Sequence, residues 1–160
     1  QGLAAALNRL AEDMQAATGI ACHFETDPRC PVEVENRTTA MQLYRIAQEA
    51  VHNAIKHGRP RNVTIRLASA GRCVELRVSD DGKGFSSDNG CAAGFGLRIM
   101  RYRAAIVGAE LSIESIPESG TLVRCKLSPL NLQEEEDEEA HRGLREAAGG
   151  GPGNTGEFFV

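Results

Sequence analysis

The stretch "NVTIRLASAGRCVELRVSDDGKGF", residues 62–85, decides the fold class. Val63, Ile65 and Leu67, and then Val74, Leu76 and Val78, recur with a period of two. Neighbouring strand residues point to opposite faces, so this pattern predicts two strands, each with one side in a core. Gly71 marks the joint between them, and the pair reads as a hairpin. The second strand ends on two adjacent acids, Asp80 and Asp81, followed by Gly82-Lys83-Gly84. A metal site, a phosphate loop and an ordinary turn compete for this ending. The strand period aims Asp80 and Asp81 apart, so they cannot share one ion unless the backbone breaks between them. Gly82 and Gly84 permit close backbone approach, but a simple turn asks for the same residues. Neither G-x-x-x-x-G-K-[ST] nor a G-x-G-x-x-G leading into a helix occurs anywhere in the chain.

Working outward, residues 38–57 carry the longest helical pattern, with Thr38 or Thr39 available as N-cap and Gly58 and Pro60 as stop signals. Residues 3–17 predict an amphipathic helix closed by Thr18-Gly19, and residues 20–26 a short strand. "GLRIMRYRAAIVG" reads as a third helix, and "AELSIES" with "TLVRCKL" as a second hairpin turning across residues 117–120. Three helices and four or more mostly antiparallel strands predict an α+β domain, a two-layer sandwich with the helices on one face of a mixed sheet. After Pro129 the pattern gives way to "EEEDEEA" and "GGGPGNTG". The expected division is therefore a folded domain over 1–129 and an acidic, Gly-rich disordered tail over 130–160.

Composition excludes several function classes. Hydrophobic residues make up 41% and aromatic ones 4%, with no Trp, so the core must be built from Ala, Val, Ile and Leu. The net charge of −4 hides an asymmetry, because residues 131–160 hold eight acids against Arg142 and Arg145. The remainder lies near neutrality without a basic stripe interleaved with aromatics, which argues against direct nucleic-acid binding. Cys22, Cys30, Cys73, Cys91 and Cys125 fall at no zinc-like spacing, and buried reduced thiols are expected. No apolar run approaches the ~18 residues of a membrane span and no charged-then-apolar leader opens the chain. A cytoplasmic location without membrane contact is expected, also for a cytosolic piece of a longer protein with spans elsewhere.

At about 100° per residue, Gln42, Glu49, Asn53 and Lys56 fall within an arc of roughly 60° on the long helix. Leu43, Ala47, Ala50, Val51 and Ala54 occupy the opposite side. A solvated face fits this stripe. So does a site in which a carboxylate orients or deprotonates an attacking group, an amide oxygen meets a hard cation, and an ammonium meets phosphate oxygens. "GFGL", residues 94–97, opens the third helix, where free backbone amides and glycines can receive an anion.

Taken in order, "QEAVHNAIKHG", "SDDGKGF", "GFGL" and the Gly120-Thr121 pair resemble the ATP-binding catalytic domain of sensor histidine kinases, in the superfamily that includes gyrase, Hsp90-type chaperones and mismatch-repair ATPases. The form E-x-x-x-N-x-x-K-H looks most like the nitrate-sensor-like kinases, and the resemblance covers roughly residues 1–129. It implies a Bergerat-type ATP-binding fold with ATP and Mg2+ as cofactors. By that resemblance Asn53 supplies a magnesium ligand, Glu49 is the general base or orienting group, and Lys56 and His57 lie at the phosphates. Asp80 accepts the adenine amino group with Thr121 assisting through a water, Gly82 and Gly84 give the base clearance, and Gly94, Gly96 and Leu97 cradle phosphates. Residues 86–93 would form a short lid. The implied partners are a dimerisation domain carrying the phosphoacceptor histidine and, indirectly, a response regulator. No histidine of this chain fits the acceptor: His23 lies on a strand, His52 in the nucleotide helix and His141 in a polar tail. A non-catalytic nucleotide-binding module and an anti-sigma-like serine kinase are the alternatives.

Overall fold

A computed structural model describes residues 2–70, 73–84 and 95–128. The predicted tail over 130–160, the lid over 86–93 and Gly94 lie outside the described residues. Element order is α1 (Leu3–Thr18), β1 (Ala21–Thr26), α2 (Arg37–Asn53), a π-helical turn (Ala54–Gly58), β2 (Asn62–Ala70), β3 (Cys73–Asp80), α3 (Phe95–Ile106), β4 (Glu110–Ile116) and β5 (Gly120–Leu127).

The five strands form one sheet in the order β1-β2-β3-β5-β4, with β1 parallel to β2 and all other neighbours antiparallel. α2 therefore crosses between the parallel strands β1 and β2. α3 carries the chain from β3 past the intervening β5 to β4, a split βαβ arrangement. The period-two expectation is met in register, for Ile65 pairs with Val78 and Val78 with Val123. Val63, Ile65, Leu67, Leu76, Val78, Cys125 and Leu127 point into the helical layer and meet Leu7, Leu43, Ile46, Val51 and Met100. All are buried. Burial of one such side chain contributes about 1.5–3 kcal/mol, so this aliphatic core needs no large ring. Met14, Phe24 and Tyr44 only pack against its margin.

Local chemistry explains the helix limits. α1 ends on Gly19, which sits at φ 73° and donates its N–H to Gln15 O. The α2 N-cap is Asn36, whose Oδ1 accepts from Thr39 N at 2.8 Å, and not Thr38 or Thr39. Thr39 is buried instead. A short Asn side chain at an extended position bonds a first-turn N–H as well as a hydroxyl does. The expected single helix over 38–57 is likewise corrected: α-helical winding stops at Asn53 and the chain widens into the π turn. The thiols divide too, with Cys22 and Cys125 buried, Cys73 half-buried and Cys30 exposed. Burial pushes the Cys125 thiol up to about 12.

Candidate functional site

The C-terminal part of α2 and the end of β3 meet through backbone. Lys83 N donates to Gly58 O at 2.8 Å, and a Cβ on Gly58 would lie 3.2 Å from Asp80 Oδ1. A Cβ on Gly82 would meet Gly58 O at 2.6 Å and Asp80 Oδ1 at 2.7 Å. The half-buried Asp80 carboxylate thus forms the floor of a slot walled by two glycine backbones. Gly84 and Gly120 lock the adjoining turn. Both have positive φ, and a Cβ would strike Ile116 O at the first and Asp80 O at the second.

Asp80 Oδ1 accepts from Gly82 N at 2.8 Å. Burial raises its pKa above the ordinary carboxylate value, while backbone hydrogen bonds from Gly82 and Thr121 oppose the rise and the Asp81 charge adds to it. Thr121 reaches Asp80 through its N–H, whereas its hydroxyl lies 3.0 Å from Ser115 Oγ. Asp81 turns the other way. Its Oδ1 accepts from Arg61 N and Asn62 N, and its Oδ2 from Asn62 Nδ2, at 2.7–2.8 Å. Those bonds, led by Asn62, hold its pKa below the usual range.

The second cluster lies on α2. Asn53 Nδ2 donates to Glu49 Oε1 at 3.2 Å, so the amide donor is used on the carboxylate and Oδ1 remains as an acceptor for a cation. The first turn of α3 presses on this pair. A Cβ on Gly96 would strike Glu49 Oε1 and lie 2.8 Å from Asn53 Nδ2, so a side chain there would displace the Glu49–Asn53 pair. Leu97, next along, packs partly into the core and anchors the helix start. A helix N-terminus offers unbonded N–H groups and positive potential, which suits phosphate oxygens beside the Glu49–Asn53 pair.

Among the predicted residues, Glu49, Asn53, Gly96 and Leu97 come together, as do Asp80, Gly82, Gly84 and Thr121. Lys56 and His57 are exposed on the π turn, and among the described residues no ion pair holds Lys56. The uniform 100° projection that aligned Lys56 with Asn53 does not apply there, because a π turn carries more residues per turn. Gln42 also leaves the stripe: it is buried and its Oε1 accepts from Arg103 Nη1 at 2.9 Å, clipping α2 to α3. Gly58 and Gly120 are the site-forming residues to which sequence reasoning gave no role of their own, although both stand in the motifs that carry the resemblance. Among the described residues no cluster of three or more His, Cys, Asp or Glu could hold a metal by itself. A cation here would rest on the Asn53 oxygen and on oxygens of a ligand.

A slot carboxylate, a Glu–Asn pair and a glycine-started helix on this topology define a class. Residues 38–131 match the model of the histidine kinase-, DNA gyrase B-, and HSP90-like ATPases, and the chain belongs to that family. Within it the chain is an ATP-binding domain of the histidine kinase type. Sensor protein VraS of Staphylococcus aureus (strain COL) is 36% identical over 116 residues, 72% of this chain and 32% of VraS. The chain thus spans about a third of the length of the curated relatives it matches. The histidine kinase domain from the Erythrobacter litoralis EL346 blue-light activated histidine kinase is 27% identical, with a TM-score of 0.64 over 82% of this chain and 63% of that one. The ATP binding domain of PrrB from Mycobacterium tuberculosis shares the fold at 22% identity, with a TM-score of 0.61 over 79% of this chain and 93% of that one. Among the described residues no helix is long and apolar enough to cross a membrane.

Proposed function

We propose that this chain binds Mg-ATP and serves as the catalytic domain of a two-component sensor histidine kinase, passing the γ-phosphate to a histidine on a separate dimerisation domain. The observation that carries this reading is the connection made by one short helical segment. Asn53 stands beside Glu49 and Gly96 at its start, and Gly58 walls Asp80 at its end. Adenine fits the Asp80 end and phosphates the Asn53 end.

At the base end, an ionised carboxylate only accepts, so Asp80 pairs with the adenine amino group and repels the carbonyl that guanine carries at that position. The Thr121 N–H and Gly82 N–H hold the carboxylate in place, and Gly82 and Gly84 keep side chains off the base. At the phosphate end, Gly96 and Leu97 offer α3 backbone N–H groups to the phosphates, and the family resemblance assigns Gly94, Lys56 and His57 to the same phosphates. Asn53 Oδ1 would help to hold a magnesium ion, which would supply charge neutralisation when bound. Glu49 orients or deprotonates the attacking imidazole, held within reach by the Asn53 amide. Phosphoryl transfer depends mainly on such positioning and neutralisation. A response regulator would then receive the phosphate from the histidine.

Two substitutions separate binding from transfer. Asn53→Ala is expected to abolish magnesium-dependent nucleotide affinity in calorimetric titration. Glu49→Ala is expected to keep binding and to remove transfer to an added acceptor domain. Normal transfer by Glu49→Ala would refute the role given to Glu49.

A further inference from the structure

Among the described residues nothing packs on the outward face of α3. Leu97, Met100 and Ala104 face the core, while Phe95, Tyr102 and Ile106 on the far side are 80%, 70% and 41% exposed. Exposed apolar groups gathered on one surface mark an interaction site more often than scattered ones do. Arg98 and Arg101 are exposed beside them, and among the described residues neither has an ion pair. α3 contains three arginines and no acid. With α2, which packs beside it, and the π turn that continues α2, the count is six Arg or Lys against Glu49 alone.

The geometry points to an occupant within this chain: the acidic run Glu134, Glu135, Glu136, Asp137, Glu138 and Glu139, with Leu130 and Leu132 just before it, docks on the outward face of α3. Chemistry and reach both favour it. A segment with two leucines and then six consecutive acids matches a face of Phe95, Tyr102 and Ile106 flanked by Arg98 and Arg101. Lys126, next to the end of β5, pairs in register with Glu110, four residues beyond the end of α3. The chain therefore leaves the described structure beside the C-terminal end of α3. Six residues lie between Leu127 and Glu134, a reach of up to about 25 Å, and α3 is about 18 Å long.

The open face of the sheet is the competing basic surface, and its charges are already balanced. Arg66, Arg77, Arg124 and Lys126 share it with Glu25, Glu75, Glu110 and Glu114. Glu75 already pairs with both Arg77 and Arg124, and Glu114 with Arg124. This inference does not depend on the function proposed above.

The test compares amide NMR spectra of the full 160-residue chain with those of the same chain carrying the six acids changed to Gln or Asn. At ~50 mM salt, amides of residues 95–106 are expected to differ between the two proteins, with the difference independent of protein concentration. Raising salt to ~500 mM shortens the screening length to a few Å and should erase most of it. Arg98→Glu with Arg101→Glu should in turn shift the amides of the acidic segment relative to the parent chain, with far-UV circular dichroism confirming the fold. If that variant does not fold, the tail-neutralised chain decides alone. Identical α3 amides in the two chains would overturn the assignment. So would shifts centred on Arg66, Arg77 and Arg124, or shifts that grow with concentration, which would mean the sheet face or a second copy.

Discussion

Asp80 and Asp81 are adjacent, chemically identical and opposite in use. Asp81 is exposed, yet both its oxygens are committed to the start of β2, and that hydrogen bonding lowers its pKa. Asp80 is half-buried behind two glycine backbones, with burial pushing its pKa up against the two N–H groups that steady it. Asp81 shapes the turn and Asp80 faces the slot. A carboxylate that the fold buries without fully satisfying is the one prepared to accept a hydrogen bond from a ligand.

Substitution should break this comparison most sharply at Asp80. Asp80→Asn keeps the shape and removes the charged acceptor, and ATP affinity measured by calorimetry is expected to fall about 10- to 100-fold, as for loss of a charge-assisted hydrogen bond. Its melting temperature should stay level or rise, since an unfavourable buried charge is gone. Asp81→Ala should do the reverse, lowering unfolding free energy by about 1–2 kcal/mol through the lost backbone acceptors while ATP affinity changes less than about threefold. Equal losses of affinity in both variants would dissolve the distinction.

Acid titration offers a smaller effect with a definite sign. For Asp81 and the Arg-paired Glu75 the folded pKa is depressed, so their stabilisation is present above the ordinary carboxylate pKa and lost as pH falls through the lowered value. For Asp80 the folded pKa is raised, so its contribution is complete below the ordinary pKa and lost as pH rises through the raised value. Stability measured by urea unfolding across the acid range should therefore rise less steeply with pH in Asp81→Asn than in the parent, and more steeply in Asp80→Asn. The smallest effect is expected at Thr121→Val. It removes the hydroxyl contact with Ser115 at a cost of about 0.5–1.5 kcal/mol, but keeps the N–H on Asp80, so nucleotide affinity should hardly move.

The strands were readable because one face of each meets the core, which leaves a period of two in Val63, Ile65 and Leu67 and again in Val74, Leu76 and Val78. The Glu49–Asn53 pair was readable because four residues make one helical turn. The π turn over Ala54–Gly58 was not, since its winding has no hydrophobic period of its own and depends on where Gly58 must meet Lys83 and Asp80. Gln42 looked like a solvated polar residue because its partner, Arg103, lies 61 positions away. Asp80 and Asp81 could be aimed apart by strand geometry, but their division of labour rests on Asn62 and Gly58, brought there by the sheet and by the end of α2.

The most direct test of the slot is thermal unfolding of the whole chain with magnesium and either ATP or GTP, for the parent, Asp80→Asn and Asp81→Asn. A ligand that binds only the folded state raises the melting temperature. ATP should stabilise the parent and Asp81→Asn, with the Asp80→Asn shift largely lost and GTP giving little in any of them. Equal stabilisation of the parent by GTP, or an undiminished ATP shift in Asp80→Asn, would contradict the assignment of Asp80 as the reader of adenine.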